Sequence, residues 1–238
     1  MSAPAGRAGP AESSMVGPLA WLTFLLVLAG YNRLTPLTGR ALPGYAFIHW
    51  REMISMFVLT PLLALALWRL KERVALAGWA ERAFLALLMI LGISMGIHEP
   101  TNALTSGAIQ PVPAWMPTIL FLDNTLSHQT FFLGFLGVSV LLVYGQVRRP
   151  RAVPETPAAM VVIGAAAVIL AAVVFRQMAF EPTQVDITAG FVTLALSVGL
   201  WCAWPIAPAR APGAFFLVLA YGLGFGAAAL WKLLYSLR

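Results

Sequence analysis

Cysteine is almost missing from this chain. Cys202 stands alone in an apolar stretch, so neither a disulfide framework nor a cysteine-based metal site can form within one copy. Charge is nearly as scarce: 10% of the 238 residues are Asp, Glu, Lys or Arg, against 60% hydrophobic. That leaves too little polar surface to cover a water-soluble globule. The sequence also has no phosphate-binding glycine loop, no nucleophile elbow and no internal repeat, which takes away the usual sequence grounds for nucleotide-dependent, hydrolase and solenoid classes.

What is present is a series of uncharged apolar runs, among them Ser13 to Asn32, Asn124 to Val147, Thr156 to Phe175 and Ala211 to Trp231. Most are long enough to cross about 30 Å of hydrocarbon as helix. They lack the strict alternation of barrel strands, so helices are expected. The fold class is therefore all-α, an integral membrane bundle of seven transmembrane helices. The expected spans are Val16–Tyr31, Tyr45–Trp68, Gly78–His98, Met116–Gln146, Ala158–Arg176, Ile187–Trp204 and Gly213–Tyr235. Residues 1–15, rich in Ala, Gly, Pro and Ser, read as a disordered tail, and 16–238 as a single domain. The alternating Gly222, Gly224 and Gly226 of the last span are expected to permit close helix packing.

The net charge of +6 does not point to nucleic acid, because of where the cations fall. Arg7, Arg69, Lys71, Arg73, Arg82, Arg148, Arg149, Arg151 and Arg210 lie on the amino-terminal side of the seven-span path, against Arg33, Arg40, Arg51, Arg176, Lys232 and Arg238 on the other. The positive-inside rule then makes the N-terminus cytoplasmic in a multi-pass protein of a bacterial inner membrane.

The three histidines sit near span ends that an up-down-up path brings to one depth. His49 opens the second span, His98 closes the third and His128 lies early in the fourth, accompanied by Glu52, Glu99 and Asp123. Ionisable groups in lipid cost a few kcal/mol each, so six together mark a site by default. His49 and Glu52 are three apart and share a helix face, with Met53 and Met56 continuing it. Met95 precedes His98 by a similar step, and Pro100 is expected to end that helix at Glu99. Asn124 and His128 share a face, four apart. Asp123 is five from His128, about 140° around an α-helix, so both reach one ion only if the helix bends or Asp123 acts behind another ligand. Asp123 is expected to pair with Ser127 and Thr130.

Imidazoles with carboxylates suit zinc, copper or iron, and nearby thioethers tilt the set towards copper. The expected metal residues are His49, Glu52, His98, Asp123 and His128, with Glu99, Asn124, Met53, Met56 and Met95 around them. A b-type haem held by His49 and His128 is the rival reading, although a two-haem path would need a fourth histidine. A retinal protein is excluded because Lys232 lies at the end of the last span. The same polar residues would also serve as a relay in metal or proton-coupled transport, or bind neighbouring helices in a pure scaffold.

Three stretches resemble the membrane component that supplies scaffold and cavity in the copper membrane monooxygenases, the particulate methane and ammonia monooxygenases. HWREMISMFVLTP at His49 to Pro61 is similar to the start of that component's second span, MPTILFLDNTL at Met116 to Leu126 to the Pro-x4-Leu-Asp opening of a later span, and APGAFF at Ala211 to Phe216 to the approach to its final helix. The order agrees over residues 16–135 and 209–236. His49 replaces an acidic residue of that pattern, His128 has no counterpart in it, and the family's long extramembrane segment is missing. The resemblance implies a three-subunit complex with two other subunits, one bearing a large external domain, and reductant from quinol. It also implies copper-dependent oxidation of a small apolar or nitrogenous substrate. It would carry over Glu52, Glu99 and Asp123 as a polar pocket, and the histidines would be additions of this chain.

Overall fold

The computed structural model describes residues 13–105, 113–180 and 184–236. Among them are seven long helices: α1 Val16–Leu34, α2 Trp50–Val74, α3 Trp79–Thr105, α4 Met116–Arg148, α5 Pro157–Phe180, α6 Gln184–Ala203 and α7 Pro212–Ser236. Five of them, α2, α3, α4, α5 and α7, are long and apolar enough to cross a membrane. The chain is thus a multi-pass helical protein suited to a lipid bilayer. Helix α1 closes on Tyr31, Asn32 and Arg33, and among the described residues α6 contributes the shorter apolar stretch Phe191–Ala203.

A short ribbon departs from helix: β1 Ala41–Leu42 runs against β2 Tyr45–His49, antiparallel, with Leu42 opposite Tyr45. Pro43 and Gly44 make the turn, and Gly44 takes φ +84, a conformation open to glycine at little cost. This corrects the expected second span. Tyr45 to His49 are strand, and the helix begins at Trp50, with the Glu52 carboxylate accepting the His49 backbone N–H at 3.0 Å.

Pro100 does not end α3, which continues to Thr105 with the proline inside it. Thr101 supplies local compensation, its Oγ1 lying 2.7 Å from the Ile97 carbonyl and 3.1 Å from that of His98. Hydroxyls of this kind make prolines tolerable in apolar helices.

The tightest part of the core lies at the arginine-rich end. Met15, Leu19, Leu70, Val74, Phe84, Val138, Val143 and Phe216 are all buried there. Helix α3 meets α4 closely: a Cβ on Gly134 would stand 2.9 Å from the Leu87 carbonyl oxygen and 3.0 Å from Leu91. Of the three alternating glycines in the last helix, Gly224 alone has this role, its added Cβ falling 2.7 Å from Val174, whereas Gly222 and Gly226 face open space.

Polar pins close the same end. Glu155 accepts from Ser14 Oγ at 2.9 Å and from the Met15 backbone N–H at 2.7 Å, and Arg151 donates to the Ser13 carbonyl at 2.9 Å. Of the expected tail, residues 1–12 lie outside the described residues, while Ser13 to Met15 are held in place. Gln146 accepts the first-turn N–H of Ala214 at 2.9 Å, and so serves as a cap for α7.

Candidate functional site

The opposite end of the bundle carries the three most deeply buried carboxylates among the described residues. Glu52, Glu99 and Asp123 are 2%, 0% and 3% exposed, and each has a partner, as burial of charge demands. They form two groups.

The first group joins α3 to α4. His98 Nδ1 lies 3.0 Å from Asp123 Oδ1, and the carboxylate defines the tautomer, with Nδ1–H donating. Thr105 Oγ1 donates to Asp123 Oδ2 at 2.9 Å, and Thr101 Oγ1 stands 3.1 Å from Oδ1. The single Thr101 proton also has carbonyl acceptors, so it serves one acceptor at a time. The rings of His98 and His128 meet edge to face with centroids 5.3 Å apart. Ser94 fastens the two helices further, its hydroxyl donating to the Ser127 carbonyl at 2.6 Å.

The backbone explains why Asp123 takes part. Leu122 to Ser127 form a π-turn inside α4, in which N–H groups reach carbonyls five residues back instead of four. Residues five apart therefore approach one face, and Asp123 and His128 both meet His98 where α-helical spacing would separate them. Asn124, four residues before His128, is exposed. Ser127 donates to the backbone carbonyl of Asp123, and Thr130 to those of Leu126 and Ser127, so neither hydroxyl meets the Asp123 side chain in the expected manner. A second π-turn, Ser55 to Leu59, interrupts α2 just before Pro61. There a missing N–H and Thr60 Oγ1, which donates to the Ser55 carbonyl at 2.8 Å, disturb the regular ladder.

The second group is an ion-pair lattice between α1, α2 and α3. Arg33 donates to Glu99 Oε1 at 2.7 Å, and Arg51 to Glu52 Oε1 at 2.7 Å. Asn32 Nδ2 donates to the Arg51 carbonyl at 2.9 Å and to Ser55 Oγ at 3.1 Å. His49 Nδ1 lies 3.4 Å from Glu52 Oε2 without a hydrogen bond, and Asn32 Oδ1 and Glu99 Oε2 are likewise buried without one. The lattice borders the first group, since Glu99 is within electrostatic reach of both Glu52 and His98.

The five expected metal residues are thus divided: His98, Asp123 and His128 together, His49 and Glu52 beside Arg51. Among the described residues no three His, Cys, Asp or Glu side chains converge as a metal site. Copper is fitted only in part. Two imidazoles face each other, with a carboxylate behind one of them, while Glu52 and Glu99 are already neutralised by guanidinium groups. Met53, Met56 and Met95 are half-buried. Arg33, Thr101 and Thr105 were not legible as site residues, although Thr101 and Thr105, three and seven residues after His98, carry a helical signal.

No family model matches the chain, and neither do any of the curated proteins or solved structures compared with it.

Proposed function

We propose that this chain is a seven-span membrane subunit of a copper-dependent monooxygenase complex acting on a small apolar or nitrogenous substrate, and that His98 and His128 are its metal-facing donors. One observation carries the reading: Asp123 holds Nδ1 of His98 beside the His128 ring, which directs Nε2 away from the carboxylate. A carboxylate on the far nitrogen fixes the tautomer and raises ligand basicity, the usual support of a metal-bound histidine. Two donors do not complete a coordination sphere, so the remaining positions belong to substrate, water or another protein of the complex, which favours a subunit over a free-standing enzyme. The resemblance over residues 16–135 and 209–236 supports the same assignment. It carries with it two further subunits and quinol as reductant.

Copper, when bound, supplies oxygen activation. The residues of this chain hold and orient. Thr105 and Thr101 fix Asp123, Asp123 fixes His98, and Arg33 and Arg51 keep the neighbouring carboxylates charge-balanced. That balance also favours a second reading, in which Glu52, Glu99 and the histidines relay protons or metal ions across the membrane.

Copper analysis and an absorption spectrum of the complex purified through this chain test the proposal. His98→Ala and His128→Ala should each remove most of the copper, and Asp123→Asn should weaken binding about 10-fold to 100-fold, whereas Met53→Leu should retain it. Full retention in both histidine variants overturns the site. A Soret band transfers the histidines to haem, and copper or proton movement by the isolated chain in vesicles transfers the function to transport.

A further inference from the structure

At the arginine-rich end, remote from the histidines, a cavity of about 420 Å³ opens between the turn that joins α2 to α3 and the ends of α4 and α6. Trp79, Tyr144, Arg148, Arg149 and Trp204 line it, with Ala77 in its wall, and its lining contains two guanidinium groups and no carboxylate. The carboxylates nearby in sequence are engaged elsewhere: Glu72 accepts the Trp68 indole N–H at 3.0 Å, and Glu81 pairs with Lys71.

The arginines are held with their donors available. The Arg148 guanidinium lies 5.5 Å from the Trp204 ring and 5.9 Å from the Tyr144 ring. Ring contacts of this kind use no N–H donor in a hydrogen bond, so the guanidinium keeps its donors for an acceptor. Arg149 spends one donor on the Ala75 carbonyl at 3.3 Å and is otherwise exposed. Every lining element ends here, so the cavity lies where apolar helix gives way to polar surface. Two tryptophans and a tyrosine mark that interfacial level.

We propose that this cavity binds the phosphate-bearing headgroup of an anionic phospholipid. Its size falls in the range of small-molecule sites, its fork-shaped donors match phosphate oxygens, and its depth matches headgroups. Basic pockets between membrane helices take anionic lipid in the same way. The arginines read the phosphate, while the aromatic rings border the glycerol and the upper acyl chains.

The full-length protein, reconstituted in bilayer discs of phosphatidylglycerol and phosphatidylcholine, should retain phosphatidylglycerol through detergent extraction and native mass spectrometry. The Arg148→Gln/Arg149→Gln pair should weaken that retention about thirtyfold, from the usual contribution of each basic residue near an anionic surface. Ala77→Trp, which keeps both arginines and fills the cavity, should weaken it as well, and Arg40→Gln at the other end should not. Equal retention of both lipids, unchanged retention in the double variant and in Ala77→Trp, or displacement by millimolar inorganic phosphate would each overturn the assignment. The last of these would make the cavity a site for free phosphate.

Discussion

Glu99 is fully buried with one carboxylate oxygen on Arg33 and the other without a hydrogen-bond partner. Removing one member of such a pair costs more than the pair contributes, because the survivor keeps its desolvation cost without its partner. The two members are unequal here: the Arg33 side chain is 32% exposed and can turn to water, whereas Glu99 cannot. Arg33→Ala should therefore destabilise the protein by about 3 kcal/mol, Glu99→Gln by clearly less, and Arg33→Met/Glu99→Met should recover much of the loss. Thermal unfolding in detergent checks the order, and a Glu99→Gln protein less stable than Arg33→Ala would refute it. His98, Glu99 and Asp123 were legible because a polar residue in an apolar run announces itself. Their partners were not, since the Arg33 to Glu99 contact joins residues 66 apart in sequence, and only the tertiary fold, with α1 and α3 each packed on α2, brings them together.

At the level of elements, the helices followed from apolar length, but their interruptions did not. A π-turn adds one residue to a turn without any change of hydrophobicity, so periodicity that assumes 3.6 residues per turn misplaces everything around it. Asp123, set apart from His128 by α-helical spacing, meets His98 beside the His128 ring for this reason. The strand at Tyr45 to His49 escaped because those residues are as apolar as the helix that follows, although Pro43-Gly44 was a turn signal. Ser127 supplies a test of the π-turn. Its hydroxyl draws on the Asp123 carbonyl and also lies 3.3 Å from His98 Nδ1. Ser127→Ala should let α4 relax towards regular helix and turn Asp123 away from His98. The expected readout is copper affinity lowered about as far as in Asp123→Asn, about 10-fold or more, with overall stability changed by under about 1 kcal/mol. Wild-type affinity in Ser127→Ala would mean that packing against α3, and not the hydroxyl, holds the turn.

For the whole molecule the decisive quantity is the number of spans. Among the described residues five helices qualify on length and composition; α1 falls short because Tyr31, Asn32 and Arg33 lie in its last turn, and α6 contributes the shorter apolar stretch Phe191–Ala203. Yet α1 packs on α2 and α5, and α6 on α4 and α7, in contact with helices that do qualify. Large apolar side chains such as Phe24 on α1 and Phe191 on α6 are 52% and 65% exposed, which is favourable in lipid and costly in water. Both helices crossing gives seven spans and termini on opposite sides. Neither crossing also gives an odd number, so the termini alone do not decide. The connection between α5 and α6 does, combined with that between α1 and α2. If both helices span, reporters after Arg40 and in the connection between α3 and α4 lie on the same external side, reporters after Arg151 and Arg210 are cytoplasmic, and a reporter between α5 and α6 is external. If α6 only lies along the surface, the α5–α6 connection and Arg210 report the same side, and if α1 does so, the N-terminus reports the side of Arg40. Cytoplasmic labelling between α3 and α4 would invert the whole assignment, because it would put the His98 and Asp123 end inside against the weight of Arg69, Lys71, Arg73, Arg148, Arg149 and Arg151 on the opposite end.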